Sequence, residues 1–76
     1  MDHDQPRGTL KNWKLKFDLN ILPRIEGNIY EDRNKKFPNG RRVRTSTVLT
    51  ITEYGHIANT MTESFKLDPP YERKQS

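Results

Sequence analysis

From Lys11 to Ile21 the odd positions Trp13, Leu15, Phe17, Leu19 and Ile21 are apolar, with Lys14, Lys16, Asp18 and Asn20 alternating between them. A period of two held over that distance specifies a β-strand with one buried face. At about 3.3 Å per residue the segment would run roughly 35 Å, so it is expected to curl or bend and to serve two sheet edges. Leu22-Pro23-Arg24 ends it.

The remaining segments extend the same theme. Ile25 to Tyr30 reads as a second strand with Ile25 and Ile29 on one face and Gly27 between them, a glycine that marks a bulge or a close backbone approach. Phe37-Pro38-Asn39-Gly40 reads as a type I turn with a bulge, Pro38 at its second position, Asn39 at its third and Gly40 as the left-handed residue that closes it. Phe37 is expected to pin this loop to the core. The β-branched run Val43 to Ile51 reads as one strand with Leu49 and Ile51 inward and Arg44, Ser46 and Val48 on the other face. Glu53-Tyr54-Gly55-His56 reads as a hairpin turn with Gly55 at positive φ. Ile57, Met61 and Phe65 could stripe a helix, but Thr60, Thr62 and Ser64 disfavour one, and a strand pair over 57–67 is the expectation. Residues 1–8 carry nothing able to anchor a core, and Asp68-Pro69-Pro70 halts a strand, so the expected organisation is an N-terminal tail (1–8), one β domain (9–67) and a C-terminal tail (68–76). The fold class that follows is all-β: a small meander of about five antiparallel strands, closing into an SH3-like or OB-like barrel or a half-open sheet.

Seventy-six residues form at most one domain, and a chain this short buries only about 60% of the surface its unfolded form exposes. Its core must be thin. Hydrophobic residues make up 30% and the mean hydropathy is −1.08, yet the apolar positions are periodic rather than evenly diluted, which favours folding. With no cysteine there is no disulfide framework and no thiolate metal site, so a reducing, cytoplasmic setting is expected. Met1 to Gly8 has no apolar core of a signal peptide and no run of eighteen apolar residues occurs, so neither export nor membrane spanning is expected.

Charge is uneven along the chain. Glu31 to Ser46 carries Arg33, Lys35, Lys36, Arg41, Arg42 and Arg44 against Glu31 and Asp32, and six minus two equals the whole net charge of +4. Such a loop is either an electrostatic handle for an anionic partner or a solvated turn. As a nucleic-acid site it would need Tyr30 or Phe37, with Tyr54 as a further candidate, close enough to stack on bases. A bare solvated loop is the commoner outcome for charged turns.

The residues Gly27-Asn28-Ile29-Tyr30, Lys36-Phe37-Pro38-Asn39-Gly40 and Val43-Arg44-Thr45-Ser46-Thr47-Val48 resemble a pattern in small uncharacterised bacterial proteins: Gly-x-Val-Tyr, then Arg-Phe-x-Asp/Asn-Gly, two spacers, and Val-x-Thr-Ser-x-Val. The resemblance covers residues 27–67. Its closing hairpin, Thr-x-Ser-Gly-Ser-x-Tyr-x-Leu, departs here in Thr62-Glu63 for Ser-Gly and Phe65 for Tyr. It implies a compact β fold and a bacterial origin, with no activity attached.

No catalytic constellation stands out. His3 lies in the expected tail and His56 in a turn, without ligand-spaced companions. Thr45 and Ser46 form a hydroxyl pair with no visible base, so a role in bonding the loop backbone is expected. Glu26, Glu31, Asp32 and Glu53 are dispersed, and the glycines form no phosphate cradle. The expectation is therefore a non-enzymatic module, without cofactor, metal or small-molecule substrate. Its basic loop 31–46 (Arg33, Lys35, Lys36, Arg41, Arg42, Arg44) is the expected site for nucleic acid or another anionic partner. The alternative is a protein-interaction or homodimerising domain that uses a strand edge, with Trp13 as a candidate anchor or, more simply, a cap on the end of the barrel.

Overall fold

A computed structural model describes residues 5–17 and 22–72. Six strands follow in order: β1 (Thr9–Phe17), β2 (Pro23–Tyr30), β3 (Arg41–Arg44), β4 (Val48–Thr52), β5 (Ile57–Thr60) and β6 (Ser64–Asp68), with a single 3-10 turn at Glu53–Gly55. They form one sheet in the order β3-β2-β1-β6-β5-β4. Two antiparallel meanders, β1-β2-β3 and β4-β5-β6, meet at the parallel pair β1/β6. The all-β class is thus observed, and the strand pair over 57–67 is present. The all-antiparallel five-strand meander is corrected to a mixed sheet of six.

Of the expected barrel or half-open sheet, the barrel is not formed: β3 and β4 are the two ends of the sheet and do not pair with each other. They are nevertheless consecutive in sequence. In a flat sheet five interstrand gaps would hold them about 24 Å apart, whereas the four steps from Arg44 to Val48 reach at most about 14 Å. The sheet must therefore curl. The connector is tied from both sides: Thr45 N–H donates to Ile25 O (2.8 Å), Ile25 N–H donates to Thr45 Oγ1 (3.1 Å), and Met61 N–H donates to Thr47 O (3.0 Å). That connector also explains why the expected strand 43–51 is two strands. The hydroxyl of Thr45 donates to Ser46 O and so bonds the loop backbone as expected, whereas the Ser46 hydroxyl lies 3.2 Å from that of Thr62.

The concave side holds the core of Leu10, Ile25, Ile29, Val48, Ala58, Phe65 and Leu67, with Trp13, Leu15, Phe37, Val43 and Ile51 packed against it. Two bulges decide which side chains reach it. In β1 the register shifts between Lys11 and Lys14 and Asn12 takes a φ of 50°, a conformation asparagine tolerates better than most residues. Asn12 and Trp13 together oppose Gly27, where a Cβ would stand 2.8 Å from the Trp13 Cβ. Gly27 thus marks a close approach. The bulge brings even-numbered Leu10 and odd-numbered Leu15 onto one face, so the alternation that omits Leu10 misses the centre of the core. Phe17 keeps the expected face but lies beyond the core and is exposed, and Leu19 and Ile21 fall outside the described residues.

In β4 a second shift between Val48 and Thr50 reverses the expected faces. Val48 is buried and Leu49 is 62% exposed, while Ile51 reaches the core as expected. The turn before β3 is offset by one residue. Gly40 N–H is taken by Ile29 O, so the closing bond runs from Arg41 N–H to Pro38 O (3.1 Å), with Asn39 and Gly40 (φ 90°) at its centre. Gly55 has the expected positive φ (94°). The β5–β6 turn closes without a glycine because the Thr60 hydroxyl accepts from Thr62 and Glu63 N–H.

Both expected tails contribute to the fold near its borders. Arg7 N–H donates to Ser64 O, Arg33 N–H to Arg7 O and Lys66 N–H to Gly8 O. At the other end Tyr71 N–H donates to Gly55 O, and Trp13 Nε1–H donates to Pro69 O (2.7 Å). The indole is therefore engaged within the chain. Among the described residues no helix is long and apolar enough to cross a membrane.

Candidate functional site

The loop between β2 and β3 is organised around one carboxylate. Asp32 opens it, and its side chain is 1% exposed. Its oxygens accept from Asn34, Lys36 and Phe37 N–H at 3.0 Å each. They accept again from Arg7 Nε (2.9 Å) and Nη2 (3.2 Å), a bidentate pair, while Arg7 Nη1 donates to Glu63 (2.7 Å). The Arg7 guanidinium, followed by the backbone donors, holds the Asp32 carboxyl well below the usual carboxylate range despite burial, and the pair in turn raises Arg7. In the sequence Asp32 is one of several dispersed carboxylates. An aspartate accepting the N–H two residues on is the local signature of an Asx turn, but its partner Arg7 is twenty-five residues away in sequence and left no signal.

This hub separates the six expected basic residues. Phe37 is half-buried, as expected of a pin, and is surrounded by cations: the guanidinium carbons of Arg7 (5.3 Å) and Arg41 (5.9 Å) and the Lys36 ammonium (5.7 Å) lie near its ring centroid. Its ring is enclosed rather than offered for stacking. Arg33 and Lys35 are exposed on the loop, Arg33 Nη1 donating to Gln5 O. Arg42 and Arg44 leave β3 on the opposite, convex side. Arg42 Nη1 donates to Asn28 Oδ1 (2.9 Å) and to Asn12 O (3.0 Å), so it satisfies the carbonyl freed by the β1 bulge and is partly structural.

Cross-strand partners share a face, and the register therefore assembles a surface that no contiguous stretch of sequence displays. Thr9, Lys11, Lys14 and Lys16 on β1 lie beside Tyr30, Asn28, Glu26 and Arg24 on β2. Asn28 and Glu26 lie beside Arg42 and Arg44 on β3, and Thr9 and Lys11 lie beside Lys66 and Asp68 on β6. Seven cations (Lys11, Lys14, Lys16, Arg24, Arg42, Arg44, Lys66) face two carboxylates, and seven minus two is +5, more than the net charge of the chain. Lys16 lies 3.1 Å from Glu26 and Arg42 3.9 Å, and chiefly the Lys16 ammonium holds the Glu26 carboxyl below its ordinary range. The other half of the convex side, with Thr50, Thr52, Ile57 and Asn59, is uncharged. Tyr30 is half-buried with the Lys11 ammonium 5.1 Å from its ring centroid. His56 is exposed, and His3 lies outside the described residues.

The arrangement defines a small all-β domain whose curled mixed sheet carries a cationic convex face. No family model, curated protein or solved structure matches the chain.

Proposed function

We propose that this chain is a non-enzymatic module that binds an anionic polymer, nucleic acid in the first place, through basic residues of the 31–46 region. One observation carries the reading. Among the described residues, Arg33, Lys35, Lys36, Arg41 and Arg44 have no carboxylate within ion-pair distance, and only Arg42 approaches one, Glu26 at 3.9 Å. A loop charged merely for solubility gains by interspersing both signs, whereas a phosphate-binding surface keeps its cations unneutralised.

A second reading, self-association through a sheet edge, is favoured by β4. The edge strand β3 (RRVR) is guarded by three arginines, but β4 (VLTIT) has no charge and presents Leu49 outward. Uncharged edges are the ones that pair with other chains, although the β4 bulge weakens the template.

Heparin and oligonucleotide retention separates these readings. The protein is expected to be held by both at low salt and released as salt rises, and Lys35→Gln with Arg44→Gln is expected to elute earlier while melting at the same temperature. Failure of both matrices to retain the protein removes the polyanion reading. Sedimentation of the free protein tests the other: a species near 9.0 kDa at all concentrations excludes self-association.

A further inference from the structure

We infer that the convex face of β3-β2-β1-β6, rather than the loop, is the docking surface, and that its occupant is the phosphate backbone of a duplex nucleic acid. The inference rests on the polyanion reading and specifies where and what the domain binds.

Charge complementarity is the first argument. Lys11, Lys14 and Lys16 form one cationic row along β1, and Arg42 and Arg44 another along β3, with the more neutral β2 row of Glu26 and Asn28 between them. Lys11 pairs with Asp68 (3.8 Å) and Lys16 and Arg42 with Glu26 (3.1 and 3.9 Å), so Lys14, Arg44 and Lys66 are the cations of this surface with no carboxylate in ion-pair distance among the described residues. Rows two strands apart are separated by about 10 Å, comparable to the roughly 12 Å of a major groove with phosphates on both banks. Lys66 extends the surface onto β6, and the uncharged β5 and β4 bound it on that side.

The second argument is the absence of a stacking platform. Single strands are held by aromatic rings on which bases stack. Among the described residues Tyr30 is the aromatic within the cationic rows, where it is half-buried with Lys11 against its ring, while the exposed Tyr54 stands beyond them at the turn between the uncharged strands β4 and β5. A partner whose bases are already stacked inside a duplex asks only for cations. The contact would be backbone-directed and indifferent to sequence.

The substitutions Lys14→Gln, Arg44→Gln and Lys66→Gln test this, because none of these three side chains makes a hydrogen bond or ion pair among the described residues. Affinity for a mixed-sequence duplex, measured by fluorescence anisotropy from about 50 to 200 mM salt, is expected to fall about ten-fold or more at the low end in the triple variant. The slope of log K against log salt is expected to flatten by about 2 to 3. A control triple of equal charge, Lys35→Gln, Lys36→Gln and Arg41→Gln, is expected to lose less than about three-fold. Should the convex triple variant not fold, each single variant carries about one unit of slope. A control triple that loses as much as the convex triple overturns the inference, and so does a single strand of equal phosphate count bound as tightly as the duplex. In both cases the polyanion reading stands. Binding to neither nucleic acid nor heparin removes that reading and this inference together.

Discussion

Asp32→Ala is expected to destabilise the domain by about 3 to 5 kcal/mol at neutral pH, the cost of breaking a buried, hydrogen-bonded ion pair from one side. The substitution strands the Arg7 guanidinium, whose side chain is 13% exposed, and removes the acceptor for three loop N–H groups at once. A domain of this size has about 4 to 11 kcal/mol in hand, so a large share of its stability rests on one side chain. The pH dependence follows from the sign of the shift. The Asp32 carboxyl is lowered in the fold, so its contribution is fully present above its unfolded value of about 4 and is lost as pH falls towards the folded value. Urea melts should therefore show a wide gap between the native chain and Asp32→Ala at pH 7, narrowing below about pH 4. A gap that persists undiminished in acid would contradict the role assigned to the ionised carboxylate.

Leu10→Ala is expected to cost about 2 to 5 kcal/mol, and Phe17→Ala less than about 1. Leu10 is 0% exposed and pairs with Ile29 on one side and Leu67 on the other, both core residues, whereas Phe17 is 62% exposed at the end of β1. Simple alternation ranks the two the other way, counting Phe17 as core and leaving Leu10 out. Comparable losses, or a larger one for Phe17→Ala, would mean that β1 runs without the bulge at Asn12.

That contrast shows what the sequence discloses and why. A period of two is a local property, and Ile25, Gly27 and Ile29 display it without interruption, so the faces of β2 are legible. The strand nevertheless begins at Pro23 and not at Ile25: Pro23 and Arg24, expected to end the first strand, pair with Phe17 and Lys16. A bulge adds one residue and exchanges the faces beyond it. Nothing near Asn12 or Leu49 announces that exchange, because the cause is tertiary: Trp13 must pass over Gly27, and β4 must set Val48 beside Thr60 on the core side. The parallel pairing of β1 with β6 is equally silent in local pattern, since it joins segments more than fifty residues apart.

The candidate surface was legible in composition but not in place. The run 31–46 holds six cations in sequence, and the fold distributes them: Arg41 and Lys36 around Phe37, Arg33 and Lys35 on the loop, Arg42 and Arg44 across the convex face. The lysines that join the last pair, Lys14 and Lys16, stand in the sequence only as the polar half of an alternating strand. Proximity in space, set by register, makes them one surface.

The most direct test of that surface is an amide chemical-shift titration of the isotopically labelled protein with a short duplex. The account predicts the largest shifts at Lys14, Lys16, Asn28, Arg42, Arg44 and Lys66, with the loop around Asp32 and the uncharged strand β4 little changed. Shifts concentrated in residues 33–39, or in β4 alone, would contradict it.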